Sequence, residues 1–100
     1  MKIEILSIAM RDIQSGQRFY EQQQEGLGMY FLDSLFSDID ALLLYAGIHQ
    51  QYFSYYRALS KRFPYAIYYR VSGQTIQVWR VLDCRQHPAR TAAALRKGTD

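Results

Sequence analysis

Residues 65–71 and 76–82 are two strand-like runs joined by Ser72-Gly73-Gln74, a linker whose length and glycine read as a β-hairpin turn. Period-two alternation sends Tyr65, Ile67, Tyr69 and Val71 to one face of the first run and Ala66, Tyr68 and Arg70 to the other. In the second run the same rule puts Ile76, Val78, Arg80 and Leu82 on one face and Gln77, Trp79, Val81 and Asp83 on the other. In this second run both faces carry apolar groups, as expected of a strand inside the sheet. Pro64 stands at the start of the first run, where a missing N–H does least harm.

The rest of the chain supplies the partners such a hairpin needs. Lys2–Leu6 alternates polar and apolar residues and reads as a short strand with one buried face. Ser7 is then the expected N-cap of a helix whose Ala9, Ile13, Gly16 and Tyr20 form one apolar stripe. Gly26-Leu27-Gly28 predicts a tight helix–helix turn. A second helix follows, with Leu32, Leu35, Ile39, Leu42, Leu43 and Ala46 on one face and Gly47 as its C′ residue. Burying Leu35, Ile39 and Leu42 stabilises by roughly 1.5–3 kcal/mol each. Tyr55–Leu59 reads as another strand, turning at Ser60-Lys61-Arg62. Residues 92–97 either form a short basic helix or fray.

The expected fold class is therefore α+β: a helical hairpin packed on a mainly antiparallel four-stranded sheet, in the order β-α-α-β-β-β. One hundred residues suffice for a single core, so residues 1–88 are expected to form one domain and residues 89–100 a basic C-terminal tail. Nine tyrosines suit a partly exposed sheet whose polar tips must be satisfied. A lone cysteine, Cys84, excludes an internal disulfide, and two histidines, His49 and His87, argue against a zinc site. Met1–Leu6 does not read as a secretory leader, and the apolar run 41–46 is too short to cross a bilayer, so a soluble cytoplasmic protein is expected.

Charge is divided along the chain. Residues 1–56 carry three cations against seven carboxylates, net −4, whereas residues 57–100 carry nine cations against two, net +7. Such asymmetry predicts a basic face that meets an anionic partner.

The segment Phe63-Pro64-Tyr65-Ala66-Ile67-Tyr68-Tyr69-Arg70-Val71, then Ile76–Leu82 and Asp83-Cys84-Arg85-Gln86-His87-Pro88, resembles the last two strands and cationic tail of the RelE/ParE toxin superfamily. The resemblance extends from Lys2 to about Pro88, and it implies the growth-inhibiting half of a type II toxin–antitoxin module. Two activities follow from it. RelE-like members are ribosome-dependent mRNA endonucleases that need no metal or other cofactor. Their chemistry requires a base for the 2′-hydroxyl, cations for the phosphate and an acid for the leaving oxygen. Candidates here are Arg57, Arg70, Arg80, Asp83, Arg85 and His87. Arg57 and Arg85 are the pair that the resemblance puts on a phosphate, and His87 is the residue naturally poised near neutral pH.

ParE-like members instead inhibit DNA gyrase through protein contacts. Several departures from the nuclease pattern favour that branch: Tyr65 stands where nuclease members often have a cation, Tyr56 and Ala58 flank Arg57, and no tyrosine follows Tyr69. The tail Asp83-Cys84-Arg85-Gln86-His87-Pro88 is similar to the ParE-side pattern of a polar residue, an arginine and a proline. The implied partners are a small, acidic, partly disordered antitoxin and DNA gyrase, or the ribosome and mRNA for the nuclease. An inactive relative serving as a binding module is the third alternative.

In the binding readings Arg57, Arg70, Arg80, Asp83 and Arg85 contact antitoxin or target. Plainer structural roles stand beside these. His87 also reads as an exposed tail histidine, and Cys84 as a small buried or half-buried thiol. Arg70 and Arg80 could pair with Asp83 or with helix carboxylates, and Tyr55, Tyr56 and Tyr68 could pack the sheet or stack on bases. Glu21 and Glu25 read as a solvated acidic face.

Overall fold

A computed structural model describes residues 1–96; of the expected basic tail, residues 97–100 lie outside the described residues. The elements are β1 (Lys2–Ile5), α1 (Ser7–Gln23), α2 (Leu27–Asp40), α3 (Leu42–Tyr45), β2 (Gln51–Tyr52), β3 (Tyr55–Leu59), β4 (Tyr65–Ser72), β5 (Thr75–Asp83) and α4 (Pro88–Arg96). They form a helical hairpin on one sheet of order β1-β5-β4-β3-β2, so the expected α+β architecture stands. All strand pairs are antiparallel except β1 with β5, which is parallel from Lys2↔Thr75 to Ile5↔Val78. Among the described residues no helix is long and apolar enough to cross a membrane.

The sheet has five strands where the sequence predicts four. The extra strand, β2, pairs Gln51 with Tyr56 and Tyr52 with Tyr55 across a two-residue turn, Phe53-Ser54. Both turn residues have positive φ, 52° and 71°, a backbone that hairpin turns normally give to Asn or Gly. Without those residues the turn carries no sequence signature.

The four stripe residues of α1, Ala9, Ile13, Gly16 and Tyr20, are the ones it buries. Ser7 is the first helical residue rather than the cap; Leu6 holds the cap position with no side-chain hydrogen bond. The interhelical turn falls at Gly26, whose φ of 86° needs glycine. Gly28 lies inside α2, and its role is contact: a Cβ there would stand 2.7 Å from the Gln17 carbonyl oxygen of α1. Glu21 is no free acidic face either. Its carboxylate accepts the Gly26 and Gly28 amides at 3.1 and 2.9 Å and so caps the start of α2.

The second helix breaks at Ala41 and resumes as α3. That break turns Leu43 out to solvent, while Leu42 stays buried and Phe31 and Ser34 join Leu35 and Ile39 in the core. The close of the segment is as expected, with Gly47 at a φ of 93° just past the last turn.

Burial occurs on both faces of the sheet. Against the hairpin lie Ile67, Tyr69, Ile76, Val78 and Val81, with Ala9, Ile13, Phe31, Leu35 and Ile39 from the helices. On the opposite face Tyr55, Ala66, Tyr68 and Leu82 are covered by Leu95 of α4, with Trp79 packed alongside. The facing of β4 follows the alternation from Tyr65 to Tyr69. That of β5 does not: the pairings Tyr69↔Val78 and Tyr68↔Arg80 leave Trp79 as an extra residue. This β-bulge reverses the phase, so Val81 joins Ile76 and Val78 under the helices and Leu82 moves to the outer face.

Candidate functional site

The bulge sets the facing of Arg80 and Asp83 on β5; Arg57 and Arg70 lie on β3 and β4. Arg57, central in β3, pairs across the strand with Tyr68 and shares its outer face. Its Nε donates to the Tyr68 hydroxyl at 3.2 Å, its Nη2 lies 3.8 Å from Cys84 Sγ, and its guanidinium sits 5.1 Å from the centre of the Tyr52 ring. Burial works against the Arg57 charge, but the Tyr68 hydroxyl, Cys84 and Tyr52 outweigh it and shift the group upward. Burial raises the Tyr68 hydroxyl in turn, with the hydrogen bond from Arg57 opposing it.

These groups line an open cleft of about 280 Å³, bounded by Tyr52, Phe53, Arg57, Tyr68, Cys84, Gln86, Pro88 and Thr91. Cys84 is exposed there, not buried or half-buried, because it follows the last residue of β5. Phe53, half of the positive-φ turn, reaches the same rim, and the Arg96 guanidinium of α4 lies 5.8 Å from its ring centre. A planar cation with aromatic neighbours and one open side suits an anionic group attached to something flat.

Arg70 shares the outer face but is committed differently. Its guanidinium lies 4.1 Å from the Tyr55 ring centre and 5.2 Å from that of Trp79. Beneath it the Tyr55 hydroxyl and the Trp79 indole N–H are buried without a hydrogen-bond partner among the described residues.

Arg85 turns to the other side. Its Nε and Nη2 grip the Asp83 carboxylate at 3.0 and 2.8 Å, its own amide donates to the same group at 2.8 Å, and Nη2 reaches the Tyr20 hydroxyl of α1 at 3.4 Å. The fork from Arg85 holds the Asp83 carboxyl below the ordinary carboxylate range, and the carboxylate raises Arg85. Burial, with Asp83 close by, pushes the Tyr65 hydroxyl up to about 12.

Arg80 does find a helix carboxylate. Asp12 of α1 accepts its Nε and Nη2 at 2.7 and 3.0 Å, and accepts the Val81 amide at 3.0 Å. His87 acts locally. Its Nδ1 accepts the Ala89 amide at 3.0 Å and its carbonyl accepts that of Arg90, which caps α4. The Nδ1 bond leaves the neutral ring's proton on Nε2.

The candidates thus divide in three. Arg57 and Arg70 face outward beside aromatic rings, Arg80, Asp83 and Arg85 pair along the α1 side of β5, and His87 closes a helix end. Sequence reasoning missed Asp12, Glu21, Tyr20 and Phe53. For Asp12 a faint signal exists, since it adjoins buried Ile13 at the margin of the α1 stripe.

No protein-family model and no curated protein matches the sequence. Among solved structures it is similar to a chain of the chromosomal ParDE TA system from P. aeruginosa, with a TM-score of 0.70 and 17% identity over 81% of this chain and 92% of that one. At 17% identity the likeness is one of fold: the helical hairpin on a mixed sheet is a RelE/ParE-like architecture.

Proposed function

We propose that this chain is the toxin of a type II toxin–antitoxin module, acting in the cytoplasm as a ParE-like inhibitor of DNA gyrase and neutralised by a cognate antitoxin. The fold it shares with a chain of a ParDE TA system supports the module reading. One observation carries the choice of branch: the groups a nuclease would need together are dispersed. Arg57 faces the outer cleft, Arg85 is forked to Asp83 and turned toward Tyr20, and Nδ1 of His87 is taken up by the Ala89 amide. Arginine stays protonated and cannot serve as the base, and among the described residues the ionisable groups beside Arg57 are Tyr68, Cys84 and Tyr52, none of them an ordinary base at neutral pH. Inhibition through protein contacts needs no such assembly.

One feature favours the RelE-like alternative, a ribosome-dependent mRNA endonuclease: Arg57 lies in an aromatic-rimmed cleft of nucleotide dimensions. The test is to induce the chain alone in a bacterial host and follow DNA breaks and message integrity together. Gyrase-linked breaks with intact messages are expected. Messages cut at codon boundaries would overturn the gyrase reading in favour of the nuclease, and unimpeded growth would leave only an inactive binding module.

A further inference from the structure

β1 closes one side of the sheet, and its outer edge has no neighbouring strand among the described residues. The ladder to β5 fixes which groups that edge presents. The Lys2 amide donates to the Gln74 carbonyl and the Leu6 amide to that of Val78, so Lys2 and Glu4 turn their backbone groups inward. By the same alternation Ile3 and Ile5 turn their amides and carbonyls outward. The helix α1 packs chiefly on β5, inboard of this edge.

Side chains alternate as well. Ile3 and Ile5 pack against the core beneath the helices, which sends Lys2 and Glu4 to the opposite face, both exposed. Glu4 accepts the Gln77 side-chain amide at 3.4 Å, and neither charge has an ion pair among the described residues. An edge with charges of one sign repels a copy of itself, a common guard against strand pairing. This edge carries one of each.

That composition is self-complementary in one register. Outward groups must meet outward groups, so Ile3 of one copy can lie opposite Met1, Ile3 or Ile5 of an antiparallel second copy. With Ile3 opposite Ile3, the two isoleucines exchange amide and carbonyl, and Lys2 of each copy stands across from Glu4 of the other. Met1, itself exposed, then falls opposite Ile5 and continues the apolar row on the helix-bearing face. Putting Ile3 opposite Ile5 sets Glu4 against Glu4, and putting it opposite Met1 sets Lys2 against Lys2. Centring on Ile5 would bring Ile3 against Ser7, where α1 has begun.

We propose that the occupant of this edge is a second copy of the chain, paired antiparallel through β1 about a two-fold axis at Ile3. The two sheets become one, with a Lys2–Glu4 pair on either side of the axis. A seam one short strand long makes the dimer weak and concentration-dependent rather than obligate. The pairing belongs to the free chain and is independent of which target it acts on.

The test is sedimentation velocity of the full chain over a range of concentrations, with charge reversals at the two edge positions. The parent is expected to pass from monomer to dimer as concentration rises. Lys2→Glu and Glu4→Lys each set like charges opposite one another on both sides of the axis, and each alone is expected to weaken the dimer by about tenfold. Both positions are exposed, so the variants are expected to keep the fold, as checked by circular dichroism. An equimolar mixture of the two variants opposes every glutamate to a lysine, and the double variant K2E/E4K does so within one species. Both are expected to recover the parent's dimer, with slowed exchange of the Ile3 and Ile5 amides. A parent that stays monomeric, a dimer indifferent to the reversals, or a mixture that fails to recover it would each overturn the proposal. Protection that grows instead at Gln51 and Tyr52, on the opposite edge of the sheet, would do the same.

Discussion

Asp12 and Arg80 join α1 to β5 through a two-point ion pair, and the same carboxylate also accepts the Val81 amide. Both side chains are largely covered, so the pair is poorly screened. Removing the carboxylate strands a guanidinium and an amide together. Asp12→Ala is expected to cost about 2–4 kcal/mol in denaturant unfolding. Asp12→Asn keeps an acceptor for Val81 and is expected to cost less; equal losses would mean that the amide bond contributes nothing.

Two buried tyrosines on neighbouring strands make opposite predictions. The Tyr55 hydroxyl has no partner among the described residues, so Tyr55→Phe relieves a desolvated polar group and is expected to leave stability unchanged or raise it by about 1 kcal/mol. The Tyr69 hydroxyl accepts the Gly47 amide at 2.9 Å and lies 2.6 Å from His49 Nδ1, which ties the α3–β2 loop to the sheet. Tyr69→Phe is expected to lower stability by about 1–2 kcal/mol. Thermal unfolding of the two variants side by side checks both.

What could be read from the sequence was whatever local periodicity controls. The α1 stripe, the span of β3, the alternation of β4 and the turn at Gly73 all depend on neighbours a few residues away. The facing of Val81 and Leu82 does not, because it follows from a bulge created by how β4 and β5 fit together. The same holds for Glu21: a surface carboxylate becomes a cap only once α2 begins beneath it. At the candidate site, residue types were legible and groupings were not. That Arg80 would meet a helix carboxylate was readable as one option. That Arg85 and Arg57 would part to opposite sides of the sheet was not, because it depends on the direction the chain takes after Asp83.

The Asp83–Arg85 fork sets the acid limb of stability. A carboxyl held below its ordinary value of 3.8 favours the fold at every pH above that value, and the gain fades as pH falls through the depressed folded value. Asp83→Asn has no such group. The stability gap between the parent and Asp83→Asn is therefore expected to be constant near neutrality and to shrink below pH 3.8, as followed by urea unfolding across the acid range. A gap that persists undiminished in acid would mean the fork contributes nothing through its charge.

At the alkaline end the sign reverses. Tyr65 ionises near 10.0 when unfolded and about 12 when folded, so between those values the folded state holds a proton that the unfolded state has lost. Stability is expected to be whole below pH 10.0 and to fall as pH rises toward about 12. Burial raises Tyr55, Tyr68 and Tyr69 as well, which steepens the fall. Tyr65→Phe is expected to make the decline shallower, and ultraviolet difference titration should show a late-ionising tyrosine lost in the variant.

At His87 a helix cap and a proton carrier can be told apart. The ring accepts the Ala89 amide at the start of α4, and the docking of Leu95 on the outer sheet face depends on that helix. His87→Ala removes the acceptor and is expected to cost about 1 kcal/mol, seen as faster amide exchange along α4. Asparagine is among the best residues at this position, so His87→Asn is expected to restore the helix while eliminating the imidazole. Growth arrest then discriminates the roles, because a cap is replaceable by an amide and a general base is not. If both variants arrest growth as the parent does, or only the alanine variant is impaired, the histidine acts through α4. If asparagine restores the helix and arrest is still lost, the ring itself carries the proton, and the nuclease reading displaces the gyrase one.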